Sequence, residues 1–215
     1  MSTDPNAPKL VKLIMALRRD GIHDTRVLAA MERVPREKFA PQSYKHLAYE
    51  NQSLPLGLGQ TLSQPFVVAK MSQELALKPN SRVLEVGTGS GYQAAILAHL
   101  SQRVTSIERI PELHHSARAR LLSLEIYNTD LHLGDGFLGW PSGAPYDGII
   151  LTCAPDSVPQ ELFAQLAIGG RLVAPVGNQN DRQSLKVYTR KSETKLSAKT
   201  LGLVQFVPML GGLSS

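Results

Sequence analysis

Apolar positions recur at helical spacing near the N-terminus and in short continuous runs from residue 82 onward. Leu10, Leu13, Ile14 and Leu17 fall three and four apart, which predicts an amphipathic helix over 9–20 with Gly21 as its stop. Asp24 or Thr25 opens a second helix carrying Val27, Leu28, Met31 and Val34, which ends before Pro35. No basic recognition face follows the pair, so it reads as a helical cap and not as a DNA-binding helix-turn-helix. Residues 35–64 lack a strong period and are expected to be irregular. So long a featureless segment inside a compact domain is unusual unless it has work to do, which makes it a candidate active-site loop. A helix over 65–75 follows, with Pro65 in its first turn.

From residue 82 the pattern alternates. Strands are predicted at 82–86, 104–107, 130–133, 148–151 and 172–176, and helices at 92–100, 111–124 and 159–166. Repeated strand–helix units imply a doubly wound, mostly parallel α/β sheet. Gly169-Gly170 leads into the strand at 172. The runs 184–190 and 200–207 have only a short polar link between them, so an antiparallel hairpin should close one sheet edge. There is no clear linker, and the chain reads as one domain: cap and loop over 1–80, core over 81–180, final strands over 181–215.

The turn after the strand at 82–86 carries Glu85-Val86-Gly87-Thr88-Gly89-Ser90-Gly91. Glycine lets the backbone turn tightly and lets a ligand approach without a Cβ in the way. A dinucleotide fingerprint would need glycine at 92, where Tyr92 stands, so a nicotinamide dehydrogenase is disfavoured. E-x-G-x-G-x-G instead resembles motif I of the Rossmann-like methyltransferases that use S-adenosyl-L-methionine.

Composition narrows the class. A hydrophobic fraction of 42% and a charged fraction of 19% are those of an ordinary globular chain. No apolar run is long enough to span a bilayer, no signal peptide is read, and one cysteine, Cys153, offers neither a disulfide nor a cysteine-based metal site. A cytoplasmic location is the expectation. The net charge of +5 invites a nucleic-acid reading, but the densest basic stretch, Arg182 to Lys199, is diluted by acids and reads as a solvated strand face. His114 and His115 are adjacent, do not share a helix face, and are expected on a helix surface, so no metal site is read. Trp140 reads as a packing anchor near the ligand pocket.

Ligands of open α/β sheets sit at the carboxyl ends of the strands. Glu108 ends the second core strand, where a carboxylate can accept from ribose hydroxyls. Gly134-Asp135-Gly136 ends the third, where a flanked carboxylate can meet an adenine amine, and Thr152 ends the fourth. Taken singly these residues are a surface charge and a turn; their joint appearance at successive strand ends makes a site.

Further segments sharpen the resemblance. T-L-S-Q-P at 61–65, V-L-E-V-G-T-G-S-G-Y at 83–92, G-D-G at 134–136, P-Y-D-G-I-I at 145–150 and G-G-R-L-V-A-P-V-G at 169–177 are similar to the protein-L-isoaspartate O-methyltransferase family. R-V-L-A-A-M-E-R-V-P-R-E-K-F near the start and F-V-P-M-L at 206–210 extend the likeness over almost the whole chain. The resemblance implies methyl transfer from S-adenosyl-L-methionine to the free α-carboxylate of L-isoaspartyl residues in damaged proteins and peptides. The ester then collapses to a succinimide, whose hydrolysis returns some aspartate. It implies Ser63 as the active-site serine, and Leu62, Gln64 and Pro65 as the loop over the cofactor. Glu85, Val86, Gly87, Thr88, Gly89 and Gly91 would form the cofactor turn, Glu108 would hold the ribose, and Asp135 with Gly136 the adenine. Met209 and Leu210 would approach the site. A monomer with no nucleic-acid or membrane partner is expected.

The chemistry needs few groups. A carboxylate, with a pKa of about 4, is already a nucleophile at neutral pH and requires no general base. Ser63 would therefore orient the substrate carboxylate; its competing role is a helix N-cap. Cys153 as a nucleophile lacks a supporting motif and reads as a small buried residue. The alternative function is a methyltransferase acting on a small molecule or nucleic acid. An amino-group DNA enzyme should carry [DN]-P-P-[YF] where this chain has Thr152-Cys153-Ala154-Pro155. A non-catalytic binding module is disfavoured by the intact loop around Ser63.

Overall fold

The computed structural model describes residues 5–178 and 180–214. Helices α1 (Ala7–Arg19) and α2 (Thr25–Arg33) form the expected cap. Asp24 is the N-cap of α2, accepting from the Arg26 and Val27 amides. Helix α3 spans Pro65–Leu75, with Pro65 in the first turn.

Residues 35–64 are more ordered than expected. Two short 3₁₀ turns, Arg36–Lys38 and Gln42–Leu47, lead into a hairpin of β1 (Leu54–Gly57) and β2 (Gln60–Leu62). Strands of four and three residues are too short to show a period, and Pro55 inside β1 mimics a loop signal. The hairpin turns at Leu58-Gly59, both at positive φ.

The core sheet has seven strands in the order β5-β4-β3-β6-β7-β8-β9. They are β3 (Arg82–Val86), β4 (Arg103–Glu108), β5 (Thr129–Leu133), β6 (Tyr146–Leu151), β7 (Leu166–Val176), β8 (Gln183–Arg190) and β9 (Leu196–Val204). The first five in space are parallel, and β8 and β9 are antiparallel additions at one edge. Helices α4 (Tyr92–Leu100), α5 (Pro111–Ser123) and α6 (Gln160–Ala164) connect the parallel strands.

The largest departures from the expected boundaries fall at β7, α6 and β9. Strand β7 begins at Leu166, before Gly169-Gly170: its register against β6 slips between Tyr146 and Gly148, so residues 167–170 bulge out of the ladder. Leu166 is thereby taken from the helix expected to reach it, and α6 ends at Ala164. Strand β9 lies at 196–204 and not 200–207, because its polar first half pairs with β8 despite being solvent-exposed.

The period of two along each strand sorts the core into two layers. Val83, Val104, Ile150 and Val173 pack beneath α1–α4, whereas Leu84, Val86, Ile149, Leu151 and Leu172 pack against α6. After β3 the chain moves outward to β4 and β5, then returns to place β6 on the other side of β3. The carboxyl ends of β3 and β6 thus form the switch point, where a crevice opens.

Candidate active site

The glycine turn fills that crevice. Gly87 has φ +94°, and a Cβ there would collide with Thr152 Oγ1. Thr152 Oγ1 in turn lies 2.5 Å from the Gly87 carbonyl and 3.0 Å from that of Val86, so the end of β6 fastens the turn. Gly91, at φ +88°, caps the start of α4, where a Cβ would crowd Ala117 at 3.3 Å. A cleft enclosing about 850 Å³ lies over this turn and opens to solvent.

Glu108 reaches the cleft from β4 and is locked in place. Its Oε2 accepts from the Gly89 amide at 2.8 Å, and its Oε1 from the Arg109 and Ile110 amides at 2.9 and 3.0 Å. Oε2 keeps a lone pair for a ligand hydroxyl. From the third strand end, Gly134 and Gly136 line the cleft, while Asp135 does not. The Asp135 carboxylate accepts from Phe137 N and Gly212 N, which ties the C-terminal segment across the site. Met209 and Leu210, carried by that segment, line the cleft.

The hairpin delivers the other wall. Leu62 and Ser63 line the cleft, and Leu56 stands 3.8 Å from where a Cβ on Gly89 would be. Ser63 is not a helix cap: Gln64 is the N-cap of α3, and no side chain caps it. The Ser63 hydroxyl has no hydrogen-bond partner among the described residues, whereas its carbonyl accepts from the buried Arg36 guanidinium. Gln64 donates to the Asn51 carbonyl and faces a neighbouring cleft, and Pro65 is buried in α3; neither lines the main cleft.

Glu85 lies behind the turn. It is fully buried, Ser106 Oγ donates to its Oε2 at 2.5 Å, and Thr88 Oγ1 is 2.6 Å from Ser106 Oγ. Burial pushes the Glu85 carboxyl up to about 8, against the Ser106 hydrogen bond and with the added repulsion of Glu108. Val86, Gly87, Thr88, Gly89 and Ser90 of the turn line the cleft, whereas Glu85 and Gly91 do not.

Other groups complete the walls. Ile107 and Ile110 line the cleft without having been singled out by motif, although each stands within two residues of Glu108, and Cys153 and Pro208 line it as well. The Cys153 thiol is pushed up to about 12, first by burial and then by the Glu108 charge, so it is no nucleophile. His114 is buried in α5, its Nε2 facing the Leu131 carbonyl, contrary to the surface position expected. Trp140 stacks on His132 in a separate cleft with Arg82 and Arg103 at the opposite ends of the strands, away from the site. Among the described residues no group of three His, Cys, Asp or Glu could hold a metal ion.

A glycine-rich turn, an acceptor carboxylate on the next strand and small residues at the third strand end fit an adenosyl group. With the mostly parallel sheet and its antiparallel edge, they define an S-adenosyl-L-methionine-dependent methyltransferase. Residues 9–214 match the protein-L-isoaspartate(D-aspartate) O-methyltransferase (PCMT) family, and the chain belongs to that family. It is 50% identical over 204 residues to protein-L-isoaspartate O-methyltransferase of Yersinia pestis (strain Pestoides F), covering 95% of this chain and 97% of the relative. A solved protein-L-isoaspartate O-methyltransferase superposes with a TM-score of 0.84 at 31% identity, over 95% of this chain and 67% of the other. A Plasmodium falciparum protein assigned to the same activity, crystallised with S-adenosyl-L-homocysteine, superposes with a TM-score of 0.81 at 25% identity, over 93% of this chain and 97% of that one.

Proposed function

We propose that Ser63 orients the α-carboxylate of an L-isoaspartyl residue for methylation in this cleft. The observation that carries this reading is the uncommitted Ser63 hydroxyl, which lines the cleft beside the glycine turn and is used by no helix. When bound, S-adenosyl-L-methionine supplies an electrophilic methyl group on a sulfonium. Glu108 offers Oε2 to the ribose, and the Val86–Gly89 turn forms the floor. Leu62, Ile107, Ile110 and Met209 provide an apolar lining that keeps water from the substrate carboxylate.

No residue has to move a proton, because the carboxylate is ionised at neutral pH. The chain's contribution is alignment, an effect worth up to roughly 7–11 kcal/mol when geometry is ideal. Ser63 donates one hydrogen bond to the carboxylate and leaves the other oxygen for attack. Asp135 acts through the C-terminal segment that it holds.

The working unit in this reading is a monomer. A single free cysteine is in keeping with a reducing, cytoplasmic setting. Damaged proteins are the partner, with no role for nucleic acid or membrane. The test is methylation of paired peptides with labelled cofactor. Transfer to the isoaspartyl peptide and none to the matching aspartyl peptide supports the reading. Equal transfer, or transfer only to the aspartyl form, overturns it.

A further inference from the structure

A second cleft, enclosing about 1450 Å³ and open to solvent, meets the first at Thr61 and Ser63. Phe66 and Val67 of α3 form one wall, and Leu203, Val204 and Phe206 the other. The second wall is the end of β9, the edge strand of the sheet, and the segment just beyond it. One charged residue lines this cleft, Arg182, and no carboxylate does. Arg182 is exposed, and among the described residues its guanidinium makes no ion pair or hydrogen bond.

Among the described residues the guanidinium groups of Arg18, Arg33, Arg82 and Arg118 are equally without an ion pair or hydrogen bond, but of these five arginines only Arg182 lines the cleft beside Ser63. Arg26, Arg36, Arg109, Arg120, Arg171 and Arg190 all spend their guanidinium groups on main-chain carbonyls, and Arg103 pairs with Asp130. The chain as a whole carries a net charge of +5, which favours approach of an anionic partner. A cleft that shares Ser63 with the first, has apolar walls and carries one cation with no carboxylate is complementary to an extended peptide bearing one acidic side chain.

We propose that this cleft seats the residues flanking the isoaspartyl group, and that Arg182 selects substrates with an aspartate or glutamate among those residues. The proposal rests on the reading of Ser63 given above. An exposed Arg–carboxylate pair is modest in energy, so the preference is graded and not absolute. It acts on capture of the peptide, hence on KM, and leaves the methyl-transfer step at Ser63 unchanged.

The experiment is a steady-state comparison on the intact enzyme. One neutral isoaspartyl peptide is the reference, and a series places a single glutamate, or the isosteric glutamine, at each flanking position. At one or more positions glutamate lowers KM by about two- to five-fold relative to glutamine, with kcat unchanged. About 0.5 M salt shrinks the difference. Arg182→Gln abolishes it, Arg182→Glu reverses it, and both variants keep the wild-type kcat on the neutral peptide. A glutamate preference that survives in Arg182→Gln, or no preference at any position, overturns the proposal. A peptide in which the favoured carboxylate is the free C-terminus tells a chain end from a side chain, and preference for the chain end alone also overturns it. If no isoaspartyl peptide is methylated, the reading of the site itself fails, an outcome distinct from methylation without charge preference.

Discussion

The Arg36 guanidinium donates to the main-chain carbonyl of Ser63 at 2.8 Å. The same side chain donates from Nε to the Ala48 carbonyl at 2.9 Å and lies over the Tyr92 ring, 4.7 Å from its centroid. It therefore joins the helical cap, the loop that carries Ser63 and the first residue of α4. Burial lowers the Arg36 pKa, and Tyr92 and Tyr49 oppose the shift.

Arg36→Met should leave two buried carbonyls without their donor and cost about 3 kcal/mol or more in stability, read by urea denaturation. A purely structural role would end there. A positioning role adds a fall in kcat measured on folded protein, with S-adenosyl-L-homocysteine affinity unchanged. Arg36→Lys, which keeps a charged donor but loses the planar fork that spans the two carbonyls, should recover part of both. If kcat per folded molecule equals that of the wild type, Arg36 does not position Ser63.

Ser63→Ala should reduce kcat on an isoaspartyl peptide roughly 10- to 100-fold, the scale of one hydrogen bond to a charged group. Because the hydroxyl caps no helix, the melting temperature should stay near that of the wild type. Calorimetric titration should find cofactor binding intact. Unchanged turnover would remove Ser63 from the chemistry.

Glu108→Ala should weaken S-adenosyl-L-homocysteine binding roughly 10-fold or more, because an ionised acceptor for the ribose is lost. It should also lower stability, since the Gly89, Arg109 and Ile110 amides lose their shared acceptor. Equal affinity in the variant and the wild type would show that the ribose is held elsewhere.

Glu85 gives a pH dependence of definite sign. Its folded pKa is about 8 against an ordinary 4.5, so over that window the folded chain keeps a proton that the unfolded chain has lost. Stability therefore falls as pH rises from 4.5 to about 8, by up to about 1.4 kcal/mol per pH unit from this group, and levels off above. Glu85→Gln should flatten this component and be relatively more stable at about pH 9 than at about pH 5. Denaturation curves whose pH dependence is the same in both proteins would refute a neutral Glu85.

Cys153 should resist alkylation. With its thiol pushed up to about 12, the thiolate is about one part in ten thousand at pH 8. Cys153→Ala should retain turnover, whereas rapid labelling by iodoacetamide and loss of activity on substitution would give the thiol a role that its environment denies.

The core was legible because its signals are local. The buried β3 strand, the glycine turn and the start of α4 follow one another within 82–92, and Glu108 and Gly136 sit at strand ends that the apolar runs announce. What stayed hidden depends on distant pairing. Asp135 reads as a ligand contact but spends its carboxylate on Gly212, 77 positions away. Glu85 reads as part of the binding turn, yet the pleat points it into the core toward Ser106. The β1–β2 hairpin could not be seen because strands of four and three residues have no measurable period. Arg36 lies inside a stretch that the resemblance covers, but nothing local marks it as the donor to Ser63.

The segment beyond β9 is stitched over the cleft at a few points. Ala154 exchanges main-chain bonds with Val207 and Met209, Asp135 takes the Gly212 amide, and the Ser214 amide meets the Arg109 carbonyl. Met209 is buried, but Leu210 and Leu213 are exposed, so little apolar burial anchors the strap. Such a segment opens locally more easily than the sheet it crosses. Cofactor held beneath it raises the cost of peeling it away, by about 2.7 kcal/mol at a hundred-fold excess over Kd if binding requires the strap to be down. Clipping of this tail by a protease then becomes a measure of site occupancy, slow on the loaded enzyme and fast on the empty one.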